Sequence, residues 1–337
     1  MRYIIYSAIH SKHLVYETIY SIHTLRYYMK SFNEYKIIIY TNHADMFDKE
    51  FKKNNIDLKS NIYIEEVDNE TVSKWIYDQY LARIKIYILK LFFDKYNADA
   101  LFFDSDIFVL NKITPFFDHL DRSEFILYKT LDTAETIYSL ASHKVAYYEK
   151  FYLFLLRTNG AIRHDHIYRH SGVIGLPLKY KNIIDDVMTL CNEMYNYTQY
   201  WGSEEIAFSC IFQNNNKISF ADNIVNDFSN CQLLRLFLAY TFQIYLEHDK
   251  RRLNEYLKIY KLDILFLDKL CLRYDDILNF YHIFRSYIMG LELNAEKLYS
   301  NIGIFKTSDF DRYCILLDKF RNQLTIRCNP YVKSSIK

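Results

Sequence analysis

The chain is 337 residues long with a formal net charge of +1; half of its residues are apolar and a quarter are charged. At roughly 150 residues per domain it has room for two domains and a sizeable core. This balance excludes an intrinsically disordered chain, 6 Gly and 3 Pro exclude collagen-like and linker-like classes, and the near-zero charge leaves no basic field for nucleic acid.

The first 70 residues alternate strand and helix signals. Residues 3–8 and 35–40 are short β-branched apolar runs that read as buried strands, and 61–67 reads as a third. Between them, residues 17–28 carry apolar side chains at helical spacing and 45–54 form a short charged helix. Strands separated by helices predict an α/β domain with a mainly parallel sheet. A long helix is expected over 71–96, with Leu81, Ile84, Ile88 and Leu91 as its apolar stripe and Arg83 off it. Residues 100–103 form a buried strand that runs into Asp104-Ser105-Asp106, and 107–110 continues as a short apolar segment.

Further on, a strand is expected at 124–128, a helix at 134–156, a polar loop at 158–169 and a strand at 171–176 that Pro177 stops. Helices follow at 181–194 and from about 204. Beyond about residue 228 the strand signals fade and amphipathic helices take over. The expected organisation is an α/β domain over 1–230 and a helical region over 231–337 for acceptor, membrane or subunit contacts. Within it, 233–246 is apolar all round and is followed by Lys250-Arg251-Arg252, either a buried core helix or a surface for a membrane or a second subunit.

The abundance of Tyr (33) and Phe (25) fits either an AT-rich coding sequence or an aromatic-rich carbohydrate or membrane surface. Six cysteines, none before Cys191 and no pair spaced C-x-x-C, argue against a disulfide framework or a structural zinc site and for a reducing compartment. After Met1-Arg2 there is only a short apolar run, which is no signal peptide. The longest runs free of Asp, Glu, Lys and Arg are eleven residues, at 206–216 and 236–246. A membrane-spanning helix needs about 20 apolar residues. A cytoplasmic protein is expected, with peripheral membrane attachment as an alternative.

The most informative stretch is Leu-Phe-Phe-Asp-Ser-Asp at 101–106. Ligands of α/β sheets bind at the carboxyl ends of strands. Two carboxylates spaced i, i+2 at such an end repel each other unless a cation neutralises them. A hard divalent ion takes oxygen ligands and shares them with substrate phosphates. Asp104 and Asp106 therefore read as a metal–diphosphate site. A phosphohydrolase nucleophile motif fits poorly, because that motif follows the first strand and Phe108 stands where it has Thr or Val.

Tyr80-Leu81-Ala82-Arg83-Ile84-Lys85 followed by residues 100–109 resembles the GT-A glycosyltransferases, in particular their glycogenin-like and lipopolysaccharide galactosyltransferase group. The resemblance extends over about residues 1–225. It implies a GT-A (Rossmann-like) mixed, mainly parallel sheet flanked by helices, with an α-helical C-terminal extension. It also implies a nucleotide-sugar donor, UDP-sugar first, and transfer to an acceptor hydroxyl of a glycan, lipid-linked sugar or protein. Asp104 and Asp106 would hold Mn²⁺ or Mg²⁺ against the donor, with Ser105 between them and Arg83 contacting the donor. Ala8 and His10, after the first strand, match the family's nucleotide-binding position, without its usual acidic residue and Asn-Tyr pair. His170-Ser171-Gly172-Val173 resembles the family's N-x-G-V segment, so His170 and Gly172 would line the sugar or acceptor.

Trp201-Gly202-Ser203-Glu204-Glu205 opens a helix with two acids. The acids either favour the helix start or, as the family implies, face the reacting carbon or the acceptor. In the second case one acid is a general base, with Glu205 preferred because Glu204 is the acid closer to the helix start, and Trp201 stacks on a sugar. Arg163-His164-Asp165-His166 with Arg169-His170 is either a His-x-His metal pair or a loop over the diphosphate or acceptor. The family's third metal ligand, a histidine in an H-x-x-G-x-x-K-P-W type motif, is absent in that form, leaving His248 and Asp227 as its only loose candidates. A catalytically inactive nucleotide-sugar-binding protein on the same fold is the alternative function.

Overall fold

The computed structural model describes residues 1–29, 34–53, 61–109, 111–128, 130–133, 150, 153–154, 157–158, 162–163, 166–220 and 224–227. The chain separates into two units, Met1–Ser229 and Asn230–Lys337, and every described residue belongs to the first. The expectations for 231–337, including the apolar segment at 233–246 and His248, lie outside the described residues, as does most of the helix expected at 134–156.

Seven strands form the central sheet: β1 (Arg2–Ala8), β2 (Tyr35–Thr41), β3 (Ile62–Glu66), β4 (Ala100–Phe103), β6 (Phe125–Leu127), β9 (Val173–Leu176) and β10 (Ile218–Phe220). Their order is β10-β6-β9-β4-β1-β2-β3. β9 runs antiparallel to β4 and β6, and the other pairs are parallel. This is the mainly parallel sheet that the alternating pattern predicts, with the mixed character that the family resemblance implies. The central strands are continuous apolar runs because helices cover both of their faces: Ile4, Ile5, Ile37, Ile38, Ile39 and the whole of β4 are fully buried. β3, at the edge, is the least enclosed of these, with Ile62 buried and Tyr63 and Glu66 exposed.

The helices are α1 (His13–Tyr28), α2 (Ala44–Lys53), α3 (Asn69–Trp75), α4 (Ile84–Lys95), α5 (Thr114–Asp121), α6 (Ile183–Thr198) and α7 (Ser203–Asn215). The single helix expected over 71–96 is two. Asp68 caps α3 by accepting the Thr71 N–H at 2.7 Å. Gln79 then adopts a left-handed backbone (φ 65°) that no helix continues through. The burial of Tyr80 against Tyr195, ring centroids 3.9 Å apart, holds the break in place. The break also rotates the stripe: Ile86, Ile88, Leu89 and Phe92 are fully buried, whereas Leu91 is exposed.

Four short strands lie outside the central sheet. β5 (Ile107–Val109) pairs antiparallel with β11 (Val225–Asp227), and β7 (Thr130–Thr133) pairs antiparallel with β8 (Ile167–Arg169). β8 lies within the stretch expected to be a polar loop. The described cysteines, Cys191 and Cys210, are buried and free. No helix among the described residues is long and apolar enough to cross a membrane.

Candidate active site

The strand order reverses between β1 and β4: the chain builds β1, β2 and β3 to one side and β4 to the other. A crevice opens beyond the carboxyl ends of the two strands at such a switch point, and that is where open α/β sheets bind ligands. Four chain segments meet at this edge: the loop after β1, the turn after β4, the approach to antiparallel β9, and the N-terminus of α7.

The turn after β4 is tied down on both sides. The Asp104 N–H donates to the Gly172 carbonyl at 2.8 Å, and the Ile107 N–H donates back to the Asp104 carbonyl at 3.1 Å. The Ser105 hydroxyl donates to buried Glu17 of α1 at 3.0 Å. Ser105 thus anchors the turn to α1 by its side chain, while Asp104 and Asp106 take the flanking positions. The Asp104 side chain is a quarter exposed, and Asp106 is buried.

The cation at this turn is Lys85, from the first turn of α4. Its ammonium lies 2.8 Å from Asp104 Oδ2, 3.0 Å from Glu204 Oε1 and 3.0 Å from Ser171 Oγ. Ser171 Oγ in turn donates to Glu204 Oε1 at 2.5 Å. Lys85 is almost enclosed, and its carboxylate partners hold its proton well above the usual lysine range against the opposing pull of burial. Arg83, two residues earlier, is wholly buried. It pairs with Asp78 at 2.6 Å, and its guanidinium lies over the rings of Tyr77, Tyr80 and Tyr195.

Glu204 and Glu205 open α7, where the helix dipole favours negative charge. They have different surroundings. Glu204 is buried and held by Lys85 and Ser171. Its N–H donates to the Tyr80 hydroxyl at 2.9 Å, and that hydroxyl donates to the Trp201 carbonyl at 2.9 Å. Glu205 Oε1 faces His170 Nε2 at 3.5 Å. His170 Nδ1 accepts the Gly172 N–H at 2.9 Å, so the proton of a neutral ring sits on Nε2, toward Glu205. A Cβ at Gly172 would lie 2.8 Å from that Nδ1, so a larger residue here would displace the His170 ring. Burial first, and the Glu204 carboxylate second, push the Glu205 carboxyl up.

On the opposite rim, Ala8 is fully buried at the end of β1, and its carbonyl accepts the Thr41 hydroxyl at 2.7 Å. His10 has a left-handed backbone (φ 81°), secured by its N–H donating to Asn42 Oδ1 at 2.9 Å. A non-glycine residue held at positive φ is strained, and such residues cluster at ligand sites. Trp201 is 59% exposed, with its ring nearly perpendicular to that of Tyr80. His166 is buried, accepts the Arg163 N–H and faces Asn214 Oδ1 at 3.1 Å. His164 and Asp165 lie outside the described residues.

No protein-family model matches the chain, and no curated protein matches it. Solved structures similar to it include the galactosyltransferase LgtC in complex with donor and acceptor sugar analogues: 14% identity, 65% of this chain and 72% of that one, TM-score 0.43. Mouse xyloside xylosyltransferase 1 is similar at 10% identity over 65% of this chain and 84% of that one, TM-score 0.44. The mannosyltransferase Ktr4p from S. cerevisiae is similar at 10% identity over 67% and 70%, TM-score 0.42.

Among the described residues no group of three His, Cys, Asp or Glu side chains is placed to hold a metal. Asp104 and Asp106 carry oxygen donors of the kind a divalent ion takes; Asp104 Oδ2 is engaged by Lys85, and Asp106 is buried. Asp227 is the last residue of β11, in register with Ile107 and hence one position from Asp106. The sequence reading left Lys85, Ser171, Tyr80 and Glu17 without roles. The usable signal was a lysine between Ile84 and Ile86 in a helix apolar on most sides.

Proposed function

We propose that this protein is a GT-A-type glycosyltransferase that moves a sugar from a nucleoside-diphosphate donor, UDP-sugar first, to an acceptor hydroxyl. The observation that carries the reading is the placement of Asp104-Ser105-Asp106 at the carboxyl end of β4, beside the strand-order switch and facing the acids that open α7. In this reading the loop after β1, with Ala8 and His10, borders the nucleotide. Asp104 and Asp106 hold the metal. His170, Gly172 and Trp201 border the sugar or the acceptor. Arg83, enclosed by its tyrosines, backs the wall next to Tyr80.

Mn²⁺ or Mg²⁺ bound there supplies charge neutralisation for the departing diphosphate. The protein supplies orientation and a base. Glu204 is committed to Lys85 and Ser171, which leaves Glu205 to take the acceptor proton. This supports the preference for Glu205, through a partner that the sequence did not indicate.

Calorimetric titration of UDP with and without Mn²⁺ tests the reading. Binding should require the metal, and Asp106→Ala should abolish it while leaving the fold intact by circular dichroism. A variant that binds as the wild type does would sink the metal-site assignment. Metal-dependent binding of UDP-sugars with neither transfer nor hydrolysis would favour a catalytically inactive binding protein.

A further inference from the structure

We propose that Lys85 is a resident counter-cation of the acidic site, which binds Glu204 to Asp104 and competes with a divalent cation for the Asp104 carboxylate. This rests on the reading of Asp104 and Asp106 as a metal site. The ammonium donates to Asp104 Oδ2 at 2.8 Å, to Ser171 Oγ at 3.0 Å and to the Ser171 carbonyl at 3.4 Å, and it forms an ion pair with Glu204 Oε1 at 3.0 Å. These acceptors belong to the turn after β4, the N-terminus of α7 and the segment leading into β9, and Lys85 itself to α4. One buried ammonium therefore joins four segments at the point where the crevice opens.

The charge balance gives this contact its consequence. Asp104, Asp106, Glu204 and Glu205 converge on this edge, and Lys85 is the cation within ion-pair distance of two of them. In a nearly enclosed site the attraction is weakly screened, so part of the negative charge that would attract a divalent ion is already neutralised. A metal at Asp104 meets repulsion from the ammonium beside it and acts on a carboxylate that is already shared. Lys85 thereby lowers cation affinity in the absence of donor, and the donor's phosphates restore it. The same ammonium positions Glu204, a role exerted through that carboxylate rather than on the substrate.

This predicts an effect opposite in sign to that of structural damage. The measurement is Mn²⁺ binding by electron paramagnetic resonance of the free ion, with and without UDP, for wild type, Lys85→Met and Lys85→Arg. Without UDP, Lys85→Met should bind Mn²⁺ about tenfold more tightly or better, and Lys85→Arg, which keeps the charge, should stay near wild type. Any gain with UDP from the wild type's weak metal-alone affinity should shrink in Lys85→Met. If Lys85→Met does not fold, Lys85→Met/Glu204→Gln removes one charge of each sign and should return Mn²⁺ affinity to within about threefold of wild type. Wild-type or weaker Mn²⁺ binding by folded Lys85→Met overturns the proposal, as does a large loss in the double variant. No Mn²⁺ binding by the wild type, with or without UDP, overturns the metal site itself and this inference with it.

Discussion

At Glu205, burial and the neighbouring Glu204 carboxylate both oppose ionisation, and the carboxyl is pushed up from 4.5 to about 8. The folded protein therefore holds a proton that the unfolded chain has released across that interval. Its contribution to stability is fully present below the unfolded value and is lost as pH rises toward 8. Glu205→Gln should remove this loss: melting temperatures should match wild type near pH 4.5 and exceed it by several degrees at pH 8, at ~2–4 °C per kcal/mol. If Glu205 is the base, wild-type transfer should rise with pH up to about 8. The Gln variant should lose roughly 10²-fold or more in kcat with no such rise. Equal melting curves at pH 8 would show that the carboxyl ionises normally. The sequence placed Glu204 and Glu205 at a helix start and preferred Glu205 only by its position there; the difference in their surroundings lies in Lys85, Ser171 and His170, from distant parts of the chain.

On the scale of elements, the short strands depend on contacts that no local pattern announces. β8 borrows its partners from α7. Gln213 accepts the Ile167 N–H at 3.0 Å and donates to the Ile167 carbonyl at 2.9 Å, and the Ser209 hydroxyl accepts the Arg169 N–H at 2.9 Å. A helix side chain thus stands in for a neighbouring strand, and a polar stretch reads as a loop until that helix is in place. β9 is legible from its apolar run, but its glycine has a tertiary reason. A Cβ at Gly175 would lie 2.6 Å from the Ile126 side chain on neighbouring β6. Gly175→Ala should destabilise the protein by about 1–3 kcal/mol through overpacking, and pairing it with Ile126→Ala should recover part of that. Chemical denaturation of the two single variants and the double measures the coupling, and additive losses would contradict the contact.

For the described unit as a whole, the β3-β2-β1-β4 order makes β1 and β4 central, with the site at their carboxyl ends. Ile5, Ile38 and Phe102 have neighbouring strands on both sides, whereas β3 has β2 alone. Native-state hydrogen exchange should find the amides of Ile5, Ile38 and Phe102 opening only with global unfolding, and those of Ile64 and Glu66, which face away from β2, exchanging at least about tenfold faster. Equal protection across β3 would contradict its edge position. A rigid pair of central strands also anchors the turn at residues 104–106 that ends β4.

The sequence by itself determined the α/β class, the buried strands β1, β2 and β4, and the acidic turn that ends β4. In each case the signal is local: a continuous apolar run, a helical period, two carboxylates two residues apart. Tertiary structure alone decided that the helix expected at 71–96 breaks at Gln79, that β9 runs antiparallel between β4 and β6, and that Lys85 rather than Arg83 meets the acidic turn. Those outcomes depend on burying Tyr80 and satisfying buried polar groups against residues up to 124 positions away, as between Tyr80 and Glu204. Such long-range pairings set the different surroundings of Glu204 and Glu205, and no window of sequence contains them.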